Sequence, residues 1–561
     1  MSLQFIFGNS GSGKSHYLYQ QIVEESIRHP EKNYLVLVPE QFTMQTQKDL
    51  CMAHPRGGIM NIDVLSFGRL AHRVFEETGK ERQPILDDEG KNLVLRKIAG
   101  NYEDELTVLK GNLKKQGYIS EVKSVISEFT QYGIDFEQLD SFMEGLNSES
   151  YLYYKLKDIR KVYEGFEDYL RDKYITKEEL LDVLSQNVAE AKMLKDSVIA
   201  MDGFTGFTPV QNRLIGELLK VCDKIMLTVE IDRREDPFVY KHPYQLFALS
   251  KQMVTSLTEV AQEVKVEIDE PVWLCKNPPY RFKENPEMAF LEEELFRYSR
   301  RKYSGEKMQS ISLHEVHTPQ EEAQYVAEEI RRLVREEGYR YREIAVIASD
   351  LNTYADSLEK ACERYEIPVF MDHKKSILLN SFVEYLRSLL VMVEQNYTYE
   401  SVFRYLRTGL CGFTRDEVDR LENYCLALDL KGFKKWDQVW VRKTPMTKKE
   451  ELEELNQLRV RFVEKLTPLH TVLKKRRKTV KEITLAVYEY LVQEKIQEQL
   501  AELEQKFQEE GELALAKEYA QIYRIVLELF DKFVELLGEE EIPLKEYCEL
   551  LDAGLEEAKL V

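Results

Sequence analysis

Along the first 75 residues, short and nearly continuous apolar runs alternate with longer segments of helical apolar spacing. Leu3–Phe7 and Tyr34-Leu-Val-Leu-Val38 read as buried strands, with a helix through about Ile27 between them. The second run ends in Pro39-Glu40-Gln41, and a further helix and the strand Asn61–Ser66 follow. Continuous apolar strands separated by helices predict a parallel sheet covered on both faces. From Phe67 to Asp196 the pattern turns helical and polar, and strand signals resume at Ser197-Val-Ile-Ala-Met201 and Lys224-Ile-Met-Leu-Thr-Val229. The expected arrangement is one α/β domain over residues 1–66 and 197–270, interrupted by a helical insertion at 67–196.

A second βα series starts near Ser310. Ile311–Val316, Glu343–Ala348 and Ile367–Met371 read as strands, and Pro319–Glu336 and Thr353–Tyr365 as helices. In the first of these helices Ala323, Val326, Ile330 and Leu333 keep helical apolar spacing. Pro271–Glu294 carries four prolines and is expected to open an irregular linker over 271–309. Residues 310–390 would begin a second α/β domain, and 391–561 a helical insertion in it. The charged runs Lys448–Leu455 and Glu498–Glu512 read as solvated helix faces. Glu556-Glu-Ala-Lys-Leu-Val561 carries no helix-stop signal, so the chain is expected to be cut off inside a helical region.

Composition supports a helix-rich chain of several domains. Glycine accounts for 25 of 561 residues, fewer than the usual ~7%, and charged residues reach 32%. With a net charge of −21 there is no general basic field, so any nucleic-acid contact must use local patches. Seven cysteines without a C-x-x-C pair suit buried thiols in a reducing compartment. The apolar run at the amino terminus stops at Gly8, unlike a signal peptide, and no stretch of ~18 apolar residues occurs. A soluble cytoplasmic protein without membrane partners is expected.

The candidate chemistry lies directly after the first strand. Gly8-Asn9-Ser10-Gly11-Ser12-Gly13-Lys14-Ser15 has the form G-x-x-x-x-G-K-[ST]. Its glycines allow backbone N–H groups to turn inward onto a polyphosphate, Lys14 reaches the terminal phosphates, and Ser15 suits Mg²⁺. The helix that starts there adds its dipole. ATP and Mg²⁺ are the expected ligands. A phosphate-loop ATPase also needs an apolar strand ending in Asp for Mg²⁺, followed by a Glu that orients water. Val198-Ile-Ala-Met-Asp202 supplies the Asp, but Gly203 stands where the Glu belongs; Asp202 also suits a simple turn. Phe204-Thr-Gly-Phe-Thr-Pro-Val-Gln211 loosely resembles a phosphate-sensing segment, with Gln211 in the sensor's place. Ser349-Asp-Leu-Asn-Thr-Tyr-Ala355, where a helicase motor would carry an arginine finger, has no arginine. The expectation is a site that binds ATP and turns it over slowly or not at all.

Two basic clusters could meet nucleic acid: Lys474-Lys-Arg-Arg-Lys478, better read as solvated charge, and His373-Lys374-Lys375, directly after an expected strand. Phe204 and Phe207 suit base stacking and equally packing against the sheet. The nine histidines form no metal-binding spacing, and no G-x-S-x-G element is present.

Taken together, Gly8–Ser15, Leu37-Val-Pro-Glu-Gln41, Ile62-Asp-Val-Leu-Ser-Phe-Gly-Arg-Leu-Ala71, Met201-Asp-Gly-Phe-Thr-Gly-Phe-Thr-Pro209, Tyr405-Leu-Arg-Thr-Gly409 and Leu421-Glu-Asn-Tyr424 closely resemble one family. It is AddB of the Firmicute type, the B subunit of the bacterial ATP-dependent helicase/deoxyribonuclease, and the set covers roughly residues 1–440. The resemblance implies two RecA-like parallel-sheet domains of the superfamily 1 helicase architecture, each with a large helical insertion. It also implies pairing with the motor subunit AddA at double-strand DNA ends, in break repair by recombination. Helicase-like domains would scan the unwound single strand for the Chi signal. The family's nuclease domain, with its Mg²⁺ and [4Fe-4S] cluster, has no matching cysteines or carboxylates here, so this chain is not expected to cut DNA. The alternatives are an autonomous translocase or nucleotide kinase, and a scaffold with a vestigial phosphate loop.

Overall fold

An apolar strand with no polar face has to be covered on both sides, and the amino-terminal part of the chain builds its core on that requirement. The protein is described by a computed structural model covering residues 1–79, 83–112, 116–171, 173–305, 308–371, 375–443 and 449–560. It divides into two compact units. The first comprises Met1–Asp87, Leu106–Leu109 and Glu121–His314, and the second Asp88–Glu105, Lys110–Ser120 and Glu315–Val561.

Seven strands of the first unit build its large sheet: β1 (Ser2–Gly8), β2 (Tyr34–Leu37), β3 (Ile62–Leu65), β4 (Val198–Met201), β5 (Lys224–Glu230), β6 (Glu267–Ile268) and β7 (Val272–Trp273). They form one parallel sheet in the order β3-β2-β4-β5-β1-β6, with β7 also paired to β1. Alternation along each strand divides the apolar residues between two cores. Phe5, Leu35, Ile199 and Leu227 pack under the helices Phe67–Thr78, Leu180–Asn187, Pro209–Leu219 and Ala248–Glu263. Ile6, Val36, Ala200 and Met226 face α1 (Lys14–Arg28) through Leu18, Ile22 and Val23. Helix ends follow local chemistry. Ser66 accepts the Arg69 N–H to start Phe67–Thr78, and Gly79, at φ 64, ends it in the left-handed conformation.

Within the expected insertion, the long helix Tyr151–Leu170 buries Asp158. Its carboxylate accepts the backbone N–H groups of Thr107, Val108 and Leu109 at 2.7–3.0 Å. One buried charge is thereby compensated by three donors of a loop with no ladder of its own. The insertion is not purely helical: Ile85–Leu86 and Ile175–Thr176 pair as a short parallel ladder. The segment expected as a linker is also more ordered than its prolines predicted. It adds β7 to the sheet, a 3₁₀ turn at Tyr280–Phe282 and the helix Pro286–Glu294.

The second unit is mainly helical. Pro319–Glu336 packs on Leu351–Arg364 through Ala323, Ala327, Ile330, Leu358 and Ala361, as the apolar spacing predicted. The three strands expected at 311–316, 343–348 and 367–371 do not form ladders. Apolar runs carry strand propensity but not a partner. Leu313, Ile347 and Phe370 stand 97%, 95% and 90% exposed, without the paired neighbours and two-sided cover that hold the first sheet. Helices dominate from Ser381 onward, as expected. Deep among them the Tyr405 hydroxyl meets those of Tyr490 at 2.8 Å and Tyr385 at 3.4 Å, and burial pushes all three phenols up. The last described helix is Leu544–Glu557, after which Lys559–Leu560 pair antiparallel with Lys375–Ser376. No described helix is long and apolar enough to cross a membrane.

Asp158→Ala would leave the three loop N–H groups without their acceptor. Hydrogen bonds to a charged group are worth ~1.5–3 kcal/mol each, so the amides of Thr107–Leu109 should lose at least tenfold protection in hydrogen exchange. The sheet amides of Phe5 and Ile199 should keep theirs.

Candidate nucleotide site

The phosphate loop is shaped by what its glycines leave out. Gly11 and Gly13 sit at φ +72 and φ +92, a region that side-chain-bearing residues rarely adopt. A Cβ on Gly8 would lie 2.4 Å from Ser12 Oγ and 2.8 Å from the Leu274 carbonyl, and one on Gly11 2.8 Å from Arg281 Cβ. The loop therefore closes tightly on itself and beneath the segment after β7, where Arg281 N donates to the Gly11 carbonyl at 3.0 Å. α1 begins at Lys14 with Gly13 as its N-cap and no side-chain cap, leaving its first donors for a ligand.

The electrostatics favour an anion at Lys14. Burial pulls its ammonium below the ordinary lysine value, partly offset by Glu230, Asp202 and Glu292. Among the described residues its Nζ donates only to the Asn9 carbonyl, at 2.9 Å, so its hydrogen bond goes to a neutral group. Among the described residues Asn9 Oδ1 and Ser12 Oγ are buried without hydrogen-bond partners, and Asn9 Nδ2 donates to Glu292 Oε2 at 2.9 Å.

A cleft of about 550 Å³ opens over the loop, a size common for small-molecule sites. Ser10, Gly11, Gly13, Lys14, Ser15 and His16 form one side. Asp202, Gly203, Phe204, Thr205, Thr228 and Glu230 come from the carboxyl ends of β4 and β5, and Tyr280 and Arg281 from the segment after β7. Asp202 is buried. Thr228 Oγ1 donates to one of its oxygens, and the Tyr19 hydroxyl to the other at 2.8 Å. Burial and this carboxylate push the Tyr19 phenol up.

The sequence candidates fare differently. Lys14, Ser15 and Asp202 come together in one cleft. Ser15 at the start of α1 and Asp202 across from it fit a Mg²⁺ ion held with a nucleotide. Gln211 does not line the cleft: its side chain accepts the Thr208 N–H at 2.9 Å, closing the capping box of Pro209–Leu219. Phe204 and Phe207 pack on Phe67, with centroids at 5.5 and 6.2 Å, and on the core, although Phe204 also reaches the cleft. His373 and Lys374 lie outside the described residues, and Lys375 begins the short ladder with Leu560. In the second basic cluster Lys478 turns inward and donates to the Lys475 carbonyl at 3.0 Å. All seven cysteines are free thiols, and among the described residues no group of three or more His, Cys, Asp or Glu is placed for a metal. They do not fit a [4Fe-4S] cluster.

Sequence reading missed Thr228, Glu230, Tyr280 and Arg281. Thr228 was visible only as part of an expected strand and Glu230 only as the residue after it, because nothing in the pattern says that β5 lies beside β1. Tyr280 and Arg281 were hidden in a segment read as linker. Tyr280 is 73% exposed at the cleft, and Arg281 brings a guanidinium to a site where none was expected.

Comparison with known proteins adds an independent view. Residues 5–292 match the family described as ADDB, N-terminal, and residues 284–559 match the UvrD-like helicase C-terminal domain. The chain is similar throughout to proteins named as the B subunit of an ATP-dependent helicase/deoxyribonuclease. That of Lachnoclostridium phytofermentans is 41% identical over 566 residues, covering 100% of this chain and 49% of the relative. Those of Caldanaerobacter subterraneus subsp. tengcongensis and Clostridium novyi are 34% and 32% identical, each covering 100% of this chain and 48% of the relative. The chain spans about half the length of the curated relatives it matches.

Two outcomes follow from the loop geometry. Gly11→Ala forces a Cβ into Arg281 at a left-handed position, so nucleotide affinity measured by titration should fall at least tenfold. Affinity should also fall as pH rises through the lowered Lys14 value, because the neutral amine no longer holds a phosphate. In titrations from about pH 7 to 10 the loss should begin below the ordinary lysine pKa of ~10.4.

Proposed function

Because the chain belongs to the ADDB N-terminal family, we propose that it serves the helicase-like functions of the AddB component in an ATP-dependent helicase/deoxyribonuclease. In this reading it binds ATP at Gly8–Ser15 and single-stranded DNA at the carboxyl ends of its sheet strands. Its partner is AddA, its substrate is double-strand DNA ends, and the strand sequence it recognises is Chi. The helicase/deoxyribonuclease names of the relatives support the role in DNA-break processing.

The single observation that carries the ATP reading is Lys14, a desolvated cation at the uncapped start of α1 whose one hydrogen bond among the described residues goes to a carbonyl. Phosphate oxygens would take the Gly11–Ser15 N–H groups, and Lys14 Nζ would move from the Asn9 carbonyl to the terminal phosphates. Bound Mg²⁺ would neutralise phosphate charge, held on the protein side by Ser15 and Asp202. Tyr280 offers a face for the base, and Arg281 a second cation for the phosphates. Phe204 and Phe207 would meet DNA from the floor of the strand ends, and the charges of His373, Lys374 and Lys375 would suit contacts to DNA phosphates.

Gly203, in place of a catalytic Glu, supports slow turnover. One observation favours the rival reading, an autonomous translocase: Arg281 lines the cleft and could stabilise charge on the terminal phosphate.

Titration with a fluorescent ATP analogue, beside Lys14→Ala, tests the site. The variant should bind at least tenfold more weakly, a difference of ~1.4 kcal/mol or more. Turnover with single-stranded DNA should stay below about 1 s⁻¹, the low end for enzymes. Fast DNA-stimulated hydrolysis would favour the translocase, and unchanged binding in Lys14→Ala would make the loop vestigial. Oligonucleotide affinity should fall steeply with salt if phosphates carry the DNA contact.

A further inference from the structure

Three carboxylates surround Lys14, and the backbone gives them different freedom. Asp202, Thr228 and Glu230 fall on the α1 face of the sheet, because alternation places them with Ala200 and Met226. Asp202 is buried with both oxygens engaged, by Thr228 and Tyr19. Glu292 is held by Asn9 Nδ2 at 2.9 Å. Glu230 is exposed at the end of β5, in register with Gly8, and lines the cleft. Among the described residues it makes no hydrogen bond or ion pair, and its charge is the strongest of the three acting on Lys14.

Position 203 is closed to the usual carboxylate. Gly203 sits at φ +78, and a Cβ there would point at Pro39 Cδ, 3.6 Å away, and Phe42 Cδ2, 3.8 Å away. Neither residue lines the cleft. A Glu at 203 would be strained and aimed at the Pro39–Phe42 turn.

We propose that Glu230, from its different place on β5, takes over in part the role that the residue after Asp202 cannot fill, and that it orients and deprotonates the attacking water in the slow hydrolysis of ATP. The inference rests on the reading that Gly8–Ser15 binds ATP. In the step, a water proton passes to a Glu230 oxygen while the water oxygen bonds to the γ-phosphorus. The bond from that phosphorus to the β,γ-bridging oxygen breaks, and its electron pair leaves with ADP. Glu230 then releases the proton to solvent, so ATP and water become ADP, phosphate and a proton.

The test uses the 561-residue chain with Glu230→Gln, Glu230→Asp and Lys14→Ala, measuring affinity for a fluorescent ATP analogue and single-turnover phosphate release. Glu230→Gln should bind the analogue as tightly as the parent or several-fold more tightly, since one negative charge beside the phosphates is gone. Its phosphate release should fall about 100-fold, the low end for loss of a general base, and Glu230→Asp should recover part of it. Parent-like release by Glu230→Gln overturns the proposal, as does a parent chain that binds ATP yet releases no more phosphate than Lys14→Ala. Failure of the parent to bind the analogue instead overturns the ATP reading, and the inference with it.

Discussion

Burial takes the Lys14 ammonium partly out of water, and among the described residues its one hydrogen bond goes to the neutral carbonyl of Asn9, while the carboxylates of Glu230, Asp202 and Glu292 act on it without pairing to it. The surrounding geometry depends on keeping that arrangement open. Gly11 and Gly13 hold left-handed conformations so that the loop can wrap a ligand, and Gly8 lets the chain turn with Ser12 and Leu274 at close range. α1 starts without a side-chain cap, and its free donors face the same space. A loop shaped in this way leaves part of its own polar demand unmet until a polyphosphate arrives.

The sheet brings distant segments to that loop. Parallel order places β5 between β4 and β1, so the ends of three strands remote in sequence converge on one edge. Period-two alternation then decides which side chains reach the α1 face. Thr228 reaches Asp202 across neighbouring strands, and Tyr19 reaches it from α1 itself. The segment after β7 closes the far side, with Arg281 lying against Gly11. The cleft is thus a property of strand order more than of any one motif.

Much of this was legible in the sequence. The strands at Leu3–Phe7, Tyr34–Val38, Asn61–Ser66, Ser197–Met201 and Lys224–Val229 appeared within about a residue of their expected ends, because continuous apolar runs between helices have few other solutions. Phosphate-loop spacing is equally local. The runs at 311–316, 343–348 and 367–371 looked no different, yet they form no ladder here. Pairing is a relation between segments, and hydrophobic pattern describes only one of them. Gln211 misled for a similar reason: its place after Thr208 and Pro209 suited a sensor, but three-residue spacing also makes a capping box.

The sequence by itself determined the phosphate loop, the alternation that makes a parallel sheet, the helical character of the carboxyl-terminal half and the absence of Glu after Asp202. These are set by residue type and short spacing, which the chain carries wherever it folds. Only the tertiary structure decided that Phe204 and Phe207 pack on Phe67, and that Tyr280 and Arg281 cross over the loop. It also decided that Glu230 shares the cleft with Lys14 and has no partner among the described residues, while both oxygens of Asp202 accept hydrogen bonds. Those facts depend on strand order, register and close approach between residues more than 200 positions apart, as Glu230 and Gly8 are. No local pattern encodes them.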